Sequence, residues 1–74
     1  MTLQLDSKEV GKRLQSFREV RGLNRAALAL KLGLTEAELE EMEAGKKPLT
    51  EGNVDTLREA FSLDPAWLLG GQDL

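Results

Sequence analysis

From Val10 on, apolar residues recur along this chain at intervals of three and four, so the pattern predicts helices and no strands. Val10, Leu14, Phe17 and Val20 define the buried stripe of a first helix. Asp6 opens that helix with Glu9 at capping-box spacing, and Gly22 ends it. Asn24 caps a second helix, RAALALKL, which stops at Gly33. Its Leu28, Ala29 and Leu32 form one face, while Ala26 and Leu30 lie nearly opposite, so Leu30 is expected to be exposed or to touch a partner. Thr35, with Glu38 three residues on, opens a third helix whose Leu39 and Met42 point inward and which Gly45 closes. Thr50 caps a fourth over about Glu51–Phe61, with Val54, Leu57, Ala60 and Phe61 facing in and Gly52 and Asn53 weakening its first turn. Asp64-Pro65 starts a short fifth helix, AWLL, before Gly70-Gly71. The expectation is an all-α domain of five short helices over residues 6–71, with a loose arm at 1–5 and a frayed tail at 72–74.

Composition removes several function classes. The chain has 74 residues, enough for one small core, and only 4% of them are aromatic, so that core should be aliphatic, with Phe17, Phe61 and Trp67 as its large members. With no Cys and no His, disulfides, Cys/His metal sites and imidazole catalysis are excluded. No metal or other cofactor is expected. No apolar run is long enough to span a membrane and no signal-peptide core is visible, so a soluble, cytoplasmic protein is the expectation. Carboxylate pairs such as Glu36 and Glu40 lie one turn apart, but without a nucleophile, a phosphate loop or room for a pocket they read as a solvated face, not an enzyme site.

Charge is divided along the chain. Residues 1–31 hold seven Lys/Arg against three Asp/Glu, a balance of +4, and residues 32–74 hold three against ten, a balance of −7. A surface that binds phosphate needs local positive potential and not a positive total, and the N-terminal half can supply it. The sharpest feature of the acidic half is the third helix: between Leu34 and Gly45 stand Glu36, Glu38, Glu40, Glu41 and Glu43, with no basic residue. Glu36 and Glu38 complement the positive end of the helix dipole, but Glu40, Glu41 and Glu43 sit toward its negative end.

The second and third helices, joined by a sharp turn at Gly33-Leu34, form a helix-turn-helix pattern. The segment GKRLQSFREVRGLNRAALALKLGLTEAELEEMEAGKKPLT, followed by VDTLREAFSLDPAWLLGG, closely resembles the Cro and lambdoid-repressor family of DNA-binding domains. The landmarks are the opening G-x-R-L, RGLN before helix two, LGLT at the turn, MEAGKKPLT after helix three, and AWLLGG. The resemblance implies a sequence-specific regulator that reads duplex DNA with the helix at 35–44, as a dimer. It places phosphate contacts at Asn24, Arg25, Thr35, Lys46 and Lys47, and base-reading positions at Glu36, Ala37 and Glu41. Relatives often carry Gln, Ser or Arg where this chain has Glu36, Ala37 and Glu41, and most often Gln where it has Arg25. Glu43 matches the family's habitual glutamate and is expected to pair with Arg18. Trp67 and Leu68 are expected to close the core or to join Leu30 as dimer or partner contacts, with core favoured for Trp67.

Glutamates at reading positions set a second function beside the first. A carboxylate can accept from cytosine N4 in the major groove, but its neighbours would face phosphates. The alternative is a degenerate helix-turn-helix that binds a protein, through its acidic third helix or the Ala26/Leu30 strip, with weak DNA binding or none.

Overall fold

The computed structural model describes residues 6–69. The expected arm at 1–5 and tail at 72–74 lie outside them. The described residues form α1 (Ser7–Val20), α2 (Arg25–Leu32), α3 (Glu36–Glu43), α4 (Glu51–Phe61) and α5 (Pro65–Leu69), with no strand among them. Every helix contributes one fully buried leucine: Leu14, Leu28, Leu39, Leu57 and Leu68 in chain order. Each such side chain is worth about 1.5–3 kcal/mol of transfer free energy on burial. Val10, Phe17, Ala29, Leu32 and Met42 complete the core, and Phe61 packs edge-on against Phe17 with ring centroids 5.4 Å apart. α3 lies against both α1 and α2; α5 rests on α1 and α4 on α2.

Short polar side chains open each of the first four helices. Asn24 Oδ1 accepts from Ala27 N–H at 2.8 Å, and Asp6 Oδ1 accepts from Glu9 N–H at 2.9 Å. Glu9 does not complete a reciprocal box, because its carboxylate turns to Lys12 at 3.7 Å. At α3 the box is complete, with Glu38 N–H donating to Thr35 Oγ1 and Thr35 N–H to Glu38 Oε1. α4 has the same arrangement between Thr50 and Asn53. Asn53 is therefore a buried cap partner and supports the first turn that it was expected to weaken.

Two positions expected inside are outside. Val20 is 85% exposed. A step of 100° per residue puts it about 90° from the mean direction of Val10, Leu14 and Phe17, so the i+3 step from Phe17 leaves the buried stripe as α1 ends. Ala60 is also exposed, and Val54 is only half-buried. α4 turns inward at Asn53 and Leu57 instead.

Two glycines are needed for different reasons. Gly33 takes φ 71° at the α2–α3 turn, a left-handed conformation that side chains disfavour. Gly11 lies where α1 meets the end of α3, and a Cβ there would stand 2.4 Å from the Met42 carbonyl oxygen and 2.6 Å from that of Glu43. Both obstacles are backbone, so the helices would have to separate. G11A is expected to destabilise by at least about 2 kcal/mol, through overpacking, and G33A by about 1 kcal/mol, through backbone strain alone. Urea unfolding of the two variants checks the order; an equal or smaller loss for G11A would contradict the close α1–α3 approach.

Candidate nucleic-acid interface

The arrangement is built around one carboxylate. Glu43, in the last turn of α3, has a side chain only 2% exposed. Its Oε2 accepts from Arg18 Nε at 2.7 Å, and its Oε1 from Arg18 Nη2 at 3.3 Å and Arg25 Nε at 3.0 Å. Arg18 comes from α1 and also donates through Nη1 to the Leu23 carbonyl at 3.0 Å, so it ties α1 to the loop before α2. Arg25 is the first residue of α2. One buried group thus joins α1, α2 and α3 by paired, charge-assisted hydrogen bonds. No side-chain polar atom buried among the described residues lacks a partner.

This network fixes how α2 and α3 cross and leaves the outer side of α3 in solvent. Glu36, Ala37, Glu40 and Glu41 are all exposed there. Thr35 is exposed at the start of the helix, with its hydroxyl accepting from Glu38 N–H. Lys46 is exposed in the loop after α3. Lys47 is less free, since its Nζ lies 3.2 Å from Glu38 Oε2. Arg25, expected as a phosphate contact, is held by Glu43 through Nε. Two of the cations that would offset the glutamates on α3 are therefore already paired with glutamates of α3 itself.

Glu38 titrates below the ordinary carboxylate range. The backbone hydrogen bond from Thr35 contributes most, then the Lys47 ammonium, and both favour the ionised form. Glu38 is thus a cap and a partner for Lys47 together.

Of the three residues expected at a dimer or partner contact, Leu30 is 82% exposed and Trp67 38%. Leu68 is fully buried and offers nothing to a partner, because the turn of α5 that exposes Trp67 directs its neighbour into the core. Trp67 is half outside the core in which it was expected. Its ring lies under the Arg13 guanidinium at 5.5 Å, and Arg13 Nη1 donates to the Trp67 carbonyl. Arg21 does the same at the other end of α1, over Phe17 at 5.4 Å and donating to the Phe61 carbonyl. These two arginines of the basic half serve the packing of α4 and α5 onto α1. Only their charge and their place within and just after α1, beside its apolar face, hinted at that role in the sequence.

A sequence model of the helix-turn-helix domain family matches residues 9–68, which takes in all the elements just described except the first two residues of α1 and the last of α5. The chain belongs to this family. Among solved structures it is similar to the restriction-modification controller protein C.AhdI from Aeromonas hydrophila, with 27% identity over 84% of this chain and 94% of that one and a TM-score of 0.74. It is also similar to the P22 c2 repressor, solved in complex with a synthetic operator, with 24% identity over 85% of this chain and 96% of that one and a TM-score of 0.75. No curated protein matches the chain in sequence. The all-α fold is therefore that of the lambda-repressor-like regulators, as the sequence resemblance implies. Among the described residues no helix is long and apolar enough to cross a membrane.

Because the Glu38 carboxyl is depressed in the folded protein, its stabilising contribution is fully present above the ordinary value of 4.5 and is lost as pH falls through the folded value. E38Q is expected to be less stable than the native sequence near pH 7, and the difference should shrink steadily below about pH 4.5. Urea midpoints of both proteins across that range check it; a difference independent of pH would show that the charge of Glu38 is immaterial.

Proposed function

We propose that this protein is a transcriptional regulator of the Cro/repressor type that binds duplex DNA with α3 as its reading helix, acting in the cytoplasm and as a homodimer. The observation that carries this reading is the helix-turn-helix frame itself: α2 and α3 are locked by Glu43 in a domain that the family match spans almost from end to end. The likeness to a restriction-modification controller supports regulation as the purpose, and the same fold carries the P22 c2 repressor on its operator. In this reading Asn24, Arg25, Thr35, Lys46 and Lys47 meet phosphates, and Glu36, Ala37 and Glu41 face base edges. A dimer places its two reading helices about 34 Å apart, one turn of DNA. Leu30 and Trp67 are the exposed apolar residues available to a second copy.

The acidic face limits how strong such binding can be. Two like charges about 6 Å apart repel by on the order of 1–3 kcal/mol at intermediate dielectric, and by less in salt. With Lys47 tied to Glu38 and Glu36, Glu40 and Glu41 facing outward, the interface binds DNA weakly unless two copies act together. The same acidic face favours a second reading, in which α3 presents Glu36, Glu40 and Glu41 to a basic protein surface and DNA binding is vestigial.

Titration of a labelled duplex of random sequence separates the two. The regulator is expected to bind at tens of micromolar protein in roughly 50 mM salt, where phosphate contacts are strongest, and to weaken as salt rises. The double substitution E36Q/E41Q is expected to tighten binding by about tenfold at low salt, by removing repulsion. Absence of binding by both proteins would discard the DNA reading in favour of the protein-binding one.

A further inference from the structure

Glu43 does more than pair with Arg18. We propose that it is a positioning residue which holds the Arg25 guanidinium as a preset fork for a DNA backbone phosphate; this rests on the DNA-binding reading above.

The two arginines on Glu43 differ in what remains of them. Arg18 is 8% exposed and spends Nε, Nη1 and Nη2 on Glu43 and the Leu23 carbonyl. Arg25 is bound through Nε alone, and its side chain is 38% exposed. Its Nη1 and Nη2 make no hydrogen bond among the described residues. These two nitrogens form the end of the guanidinium that grips a phosphate with two parallel bonds. Both guanidiniums meet the one buried carboxylate, Arg18 also has the exposed Glu19 carboxylate 4.0 Å from its Nη2, and Arg25 is the member whose charged end reaches the surface.

The physical gain is preorganisation. An arginine free in solvent loses rotamer freedom when it grips a phosphate, whereas one already fixed at Nε loses less. Glu43 is itself immobilised by Arg18 and by burial, so the support is rigid. A chain whose α3 repels phosphate gains most from one well-aimed cation at the edge of that helix. Glu43 thus serves the interface although it is buried and negative, the opposite of what its charge alone implies.

The test is a binding cycle on a random duplex, with log affinity followed against log salt for the native protein, R25Q, R25K, E43Q and R25Q/E43Q, and folding of each checked by circular dichroism and thermal unfolding. R25Q should lower the salt slope by about 0.9, the loss of one phosphate contact. R25K keeps the charge but lacks the Nε bond and the fork, and should bind at least threefold more weakly than the native protein. E43Q should also weaken binding at least threefold, although loss of a negative charge beside DNA would by itself tighten it, and in the R25Q background it should no longer weaken binding. Native-like binding by R25K, tighter binding by E43Q, or an equal effect of E43Q in both backgrounds would each overturn the proposal and leave the DNA reading standing. Should E43Q fail to fold, E43D, which keeps the charge but draws the carboxylate back from Arg25, takes its place, and native-like binding by E43D would overturn the proposal. No binding by the native protein would overturn the DNA reading and this proposal with it.

Discussion

A single buried carboxylate holds this domain in register. Glu43 lies at the C-terminal end of α3, where the helix dipole is negative and another negative charge is unfavourable. It is tolerated there because Arg18 of α1 and Arg25 of α2 both donate to it. A carboxylate buried without such donors would be too costly to keep ionised. The bond therefore constrains three helices at once: Arg18 cannot reach Glu43 unless α1 crosses α3 closely, and Gly11 permits that crossing by leaving room for the Met42 and Glu43 carbonyls. The five leucines supply the bulk of the attraction, but leucines alone do not specify one crossing angle.

Most of this frame was legible in the sequence because it is written in local signals. Asn24, Thr35 and Thr50 cap the helices they precede, and the apolar spacing marks Leu14, Leu28, Leu39 and Leu57 as core. Signals failed where the outcome depends on contacts distant in the chain. Val20 keeps helical spacing yet points to solvent, because periodicity does not say where a helix leaves the core. Asn53 reads as a poor helix former until its place opposite Thr50 is seen. α4 ends at Ser62 with φ 57°, a left-handed stop that serine seldom makes and that no glycine announced. At the interface the Arg18–Glu43 pair was foreseeable from the family pattern, whereas the third member was not. Relatives most often carry Gln where Arg25 stands, and only the folded geometry brings its Nε to Glu43.

That third member alters the electrostatics around the outer face of α3. Counted along the sequence, Arg25, Lys46 and Lys47 stand ready to offset Glu36, Glu40 and Glu41. In the folded chain Glu43 and Glu38 have already engaged Arg25 and Lys47, so the five glutamates of α3 divide into two that build structure and three that face outward. The structural pair retains cations beside the helix, and the outward three repel the phosphates those cations would bind. The balance between them, and not the fold, sets whether this helix-turn-helix grips DNA.

The claim that the Arg18–Glu43 bond holds the three helices is tested most directly by a stability cycle on R18M, E43L and R18M/E43L, followed by equilibrium urea unfolding. E43L leaves the buried Arg18 guanidinium uncompensated and is expected to cost about 3–5 kcal/mol, whereas R18M is expected to cost less, because Arg25 still donates to Glu43. Replacing both partners with apolar residues removes that penalty, so the double variant should be no less stable than either single one, with strong coupling between the sites. Losses that simply add, to within about 0.5 kcal/mol, would mean that the two side chains act independently and that the helices are held by their leucines alone.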